Sequence, residues 1–315
     1  MFSVIIVDSI AKEGVALLKQ QGFKVEVLKD NSSDNIQKKV IDADALLVRT
    51  SKITREIIYA GTKLKVISRH GVGVDNIDLD AATEKGIYVT NTPIASVTSV
   101  AEHIIGMIIV LAKHMRKADM ALRSGNFEVR NEYIGIELEG KTLGIVGVGK
   151  IGEKVGRIAT NGLRMKVIGY DPYVKNVDNF IEITESWERV FSDSDFVSLN
   201  LPLTESTYGI VGLKEFKMMK RSAYLINCAR GPVVKEVDLI EALQQRMIAG
   251  AGLDVFEQEP PKKNNPLFSM ENTIVTPHMA SHSHTSMVKM AVYAAQGIIE
   301  VLQDKNPSWP VNKIG

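Results

Sequence analysis

The string Gly147-Val148-Gly149-Lys150-Ile151-Gly152 stands between an apolar strand pattern over 141–146 and a helical pattern over 150–160. Few folds accommodate that arrangement. The first glycine permits a tight strand-to-helix turn, the second lets backbone approach a pyrophosphate, and the third lets the helix close on its strand. The helix start offers free N–H groups and the positive end of a dipole to phosphates. Asp171 ends the next strand pattern, 165–170, at the spacing that brings a carboxylate to a ribose. A carboxylate there accepts from the 2′-OH and repels a 2′-phosphate, and the nearest base is Lys175. NAD is therefore expected rather than NADP. From the glycines alone, a plain tight turn is the alternative.

The turn falls in mid-chain, and 315 residues suffice for two domains. Strand patterns at 3–8, 23–28, 45–50, 64–69 and 87–91 alternate with helical ones such as 11–21 and 54–61. Such alternation predicts a parallel sheet with helices on both faces. No glycine fingerprint follows any of these strands, so the first α/β domain is not expected to hold the dinucleotide. One long helix is expected from Ser96 to Arg123, with an apolar face too wide for a surface helix, packing on both domains or on a second subunit. The segment 284–303 reads as a helix returning to the first domain. The chain then comprises a discontinuous substrate-binding domain, 1–97 with 284–315, and an NAD-binding domain, 98–283, joined by two crossings that form a hinge.

Composition narrows the function classes. A formal net charge of +1 gives no reason to expect a nucleic-acid or anionic membrane partner. The apolar opening, 1–10, is interrupted by Asp8 and reads as a buried strand rather than a signal peptide. A single cysteine, Cys228, excludes an intrachain disulfide, and a reducing cytoplasm is the default location. The spacing of His278, His282 and His284 comes with no acid or cysteine pattern typical of a metal site, so no metal is expected.

Candidate catalytic groups follow the glycine turn, each near the carboxyl end of an expected strand. His278 ends 272–278, Glu259 and Asp254 follow or end 251–255, and Arg230 follows 222–226. Open α/β sheets bind ligands at those strand ends. Moving a hydroxyl proton suits a histidine, whose ordinary pKa lies near neutrality, and a carboxylate such as Glu259 would orient the ring. An arginine such as Arg230 can hold a carboxylate substrate bidentately. On spacing alone His278 also fits a structural cap, Glu259 a solvated loop acid and Arg230 a surface ion-pair partner. His103 and His114 read as packing or surface residues of the long helix.

These segments, together with 69–93, 101–107, 227–234 and 276–281, resemble the D-isomer-specific 2-hydroxyacid dehydrogenase family over nearly the whole length. The likeness is greatest to the catalytic cores of the phosphoglycerate dehydrogenases. It implies two doubly wound parallel-sheet α/β domains, a Rossmann NAD domain inserted into a flavodoxin-like substrate domain. It implies Arg230, Glu259 and His278 as the catalytic set. It implies Gly147, Gly149, Lys150, Ile151, Gly152, Asp171, Pro202, Thr207, Cys228, Ala229 and Asp254 as cofactor contacts, Asp254 accepting from the nicotinamide carboxamide. It also implies that the Val72-Gly73 N–H groups grip the substrate carboxylate. A homodimer with the long helix in its interface is expected. Pro232 stands where a small residue is common in the family. The chain stops at Gly315, so the C-terminal regulatory domains of longer relatives, and serine feedback through them, are not expected.

The expected reaction is NAD-linked interconversion of a D-2-hydroxy acid and its 2-keto acid in a cleft between the domains. The substrate is a small molecule, with 3-phosphoglycerate/phosphohydroxypyruvate as the first reading. Arg49 and Arg69 match substrate-binding positions of phosphoglycerate enzymes, and Lys52 and Arg130 are further candidate cations. Alternatively all four are ordinary surface charges, and the substrate is glyoxylate, hydroxypyruvate or D-lactate. The family likeness also extends to NAD(H)-binding corepressors, which the near-neutral charge and the absence of tails disfavour.

Overall fold

The computed structural model describes residues 1–174, 177 and 179–314. The chain divides into two compact units, Met1–Ser96 with Ser281–Gly315, and Val97–Ala280. The first holds five strands, β1 Ser3–Ile6, β2 Lys24–Val27, β3 Ala45–Val48, β4 Val66–Arg69 and β5 Tyr88–Thr90. All pair in parallel in the order β2-β1-β3-β4-β5, the flavodoxin-like order. Both faces are buried. Val4, Ile6, Leu47 and Val66 meet the helix His284–Leu302, while Ile5, Leu46, Ile67 and Val89 belong to a second apolar cluster. This two-sided burial is why these short strands read as nearly continuous apolar runs.

The second unit holds β6 Thr142–Val146, β7 Lys166–Tyr170, β8 Glu182–Ile183, β9 Phe196–Leu199, β10 Tyr224–Asn227, β11 Gly250–Leu253 and β12 Thr273–Val275. They form a parallel sheet ordered β12-β11-β10-β9-β6-β7-β8. This is the doubly wound dinucleotide-binding order with one strand added beyond β11. The strand order reverses between β6 and β9, so a crevice opens at the end of β6, where the glycine turn begins. β8 and β9 are absent from the strand patterns expected from the sequence. β9 is entirely buried, and a short apolar run of that kind cannot be separated from a buried helix by periodicity.

The single helix expected from Ser96 to Arg123 is two helices, Val97–Ala112 and Met115–Arg123, bent by 62°. His114 takes a left-handed backbone, φ 51°. The Ala112 carbonyl accepts from Ile136 N–H at 2.9 Å instead of continuing the helical ladder. The two halves also differ in kind. Val97–Ala112 buries eight residues against the Lys150–Leu163 helix and strands β10–β12, whereas Met115–Arg123 buries none. The wide apolar face is thus accounted for within its own unit. Among the described residues no single helix is long and apolar enough to cross a membrane.

Candidate active site

Parallel register brings the loops after β6, β9, β10, β11 and β12 to one edge of the second sheet. At β6, Gly147 has φ 89°, and a Cβ there would lie 2.7 Å from the Asn200 carbonyl oxygen. A Cβ on Gly152 would overlap the Gly147 carbonyl, so the helix can close on the turn only without a side chain. Gly149 differs, because a Cβ there meets no atom of the described residues within 4 Å. Among the described residues nothing requires that glycine, and the open space above it suits a pyrophosphate. Gly149 is also the N-cap of the Lys150–Leu163 helix and has no side chain to cap its first N–H groups. Asp171 reaches back to the turn, its Oδ2 accepting from Val148 N–H and its Oδ1 from Tyr173 N–H, both at 2.9 Å. The turn, the uncapped helix start and the fixed carboxylate fit a dinucleotide. Lys175 lies outside the described residues.

The other expected cofactor contacts sit on the same edge. Thr207 Oγ1 donates to the Pro202 carbonyl at 2.6 Å in the loop after β9. After β10, Asn227 folds the next turn, accepting from Ala229 N–H at 3.1 Å and donating to the Arg230 carbonyl at 3.0 Å. Asn227 is buried and is not among the candidate residues expected from the sequence. The Cys228 thiol lies 3.7 Å from Met107 Sδ, and burial pushes its pKa up.

Of the expected catalytic groups, Glu259 and His278 are in direct contact. His278 Nδ1 and Glu259 Oε2 are 2.7 Å apart, and Glu259 Oε1 accepts from Phe256 N–H at 3.1 Å. Burial opposes ionisation of Glu259. The His278 hydrogen bond and charge, the Phe256 N–H and the Arg230 charge outweigh it and hold the carboxyl below its ordinary range. Apolar walls from Phe256, Phe268 and Val275 line a cavity of about 320 Å³ beside the pair. His278 has a left-handed backbone, φ 50°, which in a residue with a side chain costs about 1–3 kcal/mol and persists only where the surroundings over-determine it. Its N–H donates to the Asp254 carbonyl at 2.8 Å and the Thr276 carbonyl at 3.0 Å. The fully buried Asp254 carboxylate accepts from Met279 N–H and Ala280 N–H, both at 2.8 Å.

In the first unit, Arg49 follows β3 and Asp8 follows β1, the two strands between which that sheet's order reverses. Asp8 Oδ2 accepts from the N–H groups of Arg49, Thr50 and Ser51 at 2.8, 2.9 and 3.1 Å. Asp8 was legible in the sequence only as a break in an apolar run. Arg49 Nη2 lies 2.7 Å from His282 Nε2, also in this unit. Arg69 donates to Asn76 Oδ1 at 3.2 Å and to the His70 carbonyl, so its guanidinium braces the following loop. Val72, in that loop, is exposed, and its carbonyl accepts from Asn91 at 2.7 Å.

A sequence profile of the D-isomer specific 2-hydroxyacid dehydrogenase NAD binding domain matches residues 105–280. The chain is 39% identical to the D-3-phosphoglycerate dehydrogenase of Methanocaldococcus jannaschii, over 100% of this chain and 62% of that one. It is 37% identical to the glyoxylate reductase of Korarchaeum cryptofilum, over 98% of this chain and 96% of that one. Among solved structures, the TT0316 protein from Thermus thermophilus has a TM-score of 0.92 at 31% identity, with 99% of this chain and 100% of that one covered. The chain belongs to the D-isomer-specific 2-hydroxyacid dehydrogenase family and carries that family's NAD-binding domain. It spans between 50% and 62% of the length of the phosphoglycerate dehydrogenases it resembles.

Proposed function

We propose that the protein interconverts a D-2-hydroxy acid and its 2-keto acid with NAD. The carrying observation is the 2.7 Å contact between His278 and Glu259 on the sheet edge that holds the glycine turn. Gly147, Gly149, Lys150, Ile151, Gly152, Asp171, Pro202, Thr207, Cys228, Ala229 and Asp254 hold the dinucleotide. Bound NAD supplies the hydride acceptor in oxidation and the donor in reduction. With Nδ1 committed to Glu259, His278 presents Nε2 to the substrate. That nitrogen takes the hydroxyl proton in oxidation and returns it in reduction, while the Glu259 carboxylate stabilises the charged ring. Arg230 binds the substrate carboxylate and polarises its carbonyl. Val72, Gly73, Arg49 and Arg69 of the first unit contribute to substrate binding.

The first reading of the substrate is 3-phosphoglycerate, supported by Arg49 as a cation for the phosphate. The engagement of Arg69 with Asn76 and the His70 carbonyl favours a second reading, a smaller 2-keto acid such as glyoxylate. Following NADH absorbance with phosphohydroxypyruvate, glyoxylate, hydroxypyruvate and pyruvate separates the two, and no turnover of any would refute the dehydrogenase. Replacing His278 by Ala should lower kcat by roughly 10²–10⁴ while NADH still binds. Normal turnover in that variant would remove His278 from the mechanism. The protein forms a homodimer in this reading, supported by the exposed Met115, Met120 and Leu122 on a helix with no buried residue. Sedimentation as a monomer would exclude it.

A further inference from the structure

We propose that His103 and Thr276 are positioning residues for His278, acting through the Asp254 carboxylate on the backbone turn that carries the imidazole. All four residues lie in Val97–Ala280. Thr276 Oγ1 donates to Asp254 Oδ1 at 2.5 Å, so its lone pairs face outward to His103 Nε2 at 3.1 Å. The hydroxyl proton being engaged with a carboxylate, the ring must be the donor, which places a proton on His103 Nε2. The direct separation of His103 Nε2 from Asp254 Oδ1 is 3.7 Å, so the threonine relays the contact. The same carboxylate receives the N–H groups of Met279 and Ala280, the two residues after His278. Ser99 Oγ adds a bond to the Ala280 carbonyl at 2.8 Å.

The geometry therefore separates two tasks. Glu259 fixes the imidazole through Nδ1. Asp254, held by Thr276 and His103, fixes the left-handed backbone from which the ring projects. A left-handed histidine relaxes when the bonds that enforce it are lost, and a shift of about 1 Å in a reacting group can cost on the order of a hundredfold in rate. The effect on turnover rests on the dehydrogenase reading, whereas the effect on the turn does not.

Two readouts test the assignment in the full chain. Thr276→Val keeps the shape and removes the relay, and Thr276→Ser restores the hydroxyl. His103→Leu and His103→Gln remove and retain the donor. In NADH-dependent reduction of glyoxylate and phosphohydroxypyruvate, Thr276→Val and His103→Leu should lower kcat about tenfold to a hundredfold and be rescued by the conservative variants. Hydrogen–deuterium exchange of the Met279 and Ala280 amides should quicken in the same two variants and recover in the other two, with strand β6 unchanged. Unaltered exchange, or a serine variant no better than the valine variant, overturns the proposal. If the unsubstituted protein reduces none of phosphohydroxypyruvate, glyoxylate, hydroxypyruvate and pyruvate, the dehydrogenase reading fails and exchange alone decides: quickening that serine rescues upholds the positioning role, and unaltered exchange ends it.

Discussion

His70 is buried at the end of β4, and among the described residues its Nδ1 has no hydrogen-bond partner. Burial, with the nearby charges of Arg49 and Arg69, pushes its pKa from 6.5 down to about 4. The sign follows. Between those values the unfolded chain binds a proton that the folded chain refuses, so stability falls as pH drops from about 6.5 towards 4, by at most about 3 kcal/mol. Asp8 acts in a lower window. Burial opposes its ionisation, but the hydroxyl and N–H groups around it hold its pKa at about 2, so its stabilising contribution is present above 3.8 and is lost as pH falls towards 2. Urea midpoints measured from pH 7 to pH 4 should therefore decline less steeply in His70→Leu than in the unsubstituted protein. Parallel slopes would show that His70 is not the titrating group. At the cofactor end, Asp171→Ala should narrow the preference for NADH over NADPH. An unchanged ratio of the two kcat/KM values would show that Asp171 does not read the ribose. Such single residues differ in how visible they are in a sequence. His278 and Glu259 carry chemical types that suggest a proton relay. Asn227 and Asp8 work by folding a turn, and nothing but the folded backbone distinguishes them from ordinary polar residues.

At the scale of the element, the three glycines of the turn do different work, and substitution separates them. Gly152→Val drives a side chain into the Gly147 carbonyl and should destabilise the fold by about 1–3 kcal/mol or more as well as weaken NADH binding. Gly149→Val enters open space and should leave the melting temperature within a few degrees of the parent while raising the Kd for NADH. Paired thermal melts and NADH fluorescence titrations check both. Equal melting losses in the two variants would contradict the open space above Gly149. The strands around the turn were largely readable, since β-branched runs bounded by turn residues mark β1, β3, β4, β6 and β7. β9 was not, because Ser198 interrupts its four-residue apolar run and Val197 is its single β-branched residue. The break at Lys113-His114 was equally hidden. It depends on Ile136, far along the chain, taking the Ala112 carbonyl, and local periodicity carries no trace of that.

For the whole molecule, the chain leaves the first unit after Ser96 and re-enters it at Ser281. Near the start of the inserted unit, Ser99 Oγ donates to the carbonyl of that unit's last residue, Ala280, at 2.8 Å. A domain whose ends meet and which has its own core can fold alone. The fragment 97–280 should therefore express as a folded protein and bind NADH, measured by fluorescence, without the first unit. A fragment lacking cooperative unfolding would show that the insert depends on its host. The meeting of those ends also governs how the outer unit assembles. Once the insert has folded, the two pieces of the outer chain are tied by what is in effect a loop of only a few residues, and the entropy of closing such a loop grows only with the logarithm of its length. The helix His284–Leu302, distant in sequence from β1, β3 and β4, thus loses little to that distance when it docks on them. The insert serves its host as a short clasp, and a domain interrupted in mid-chain folds much like one that never was.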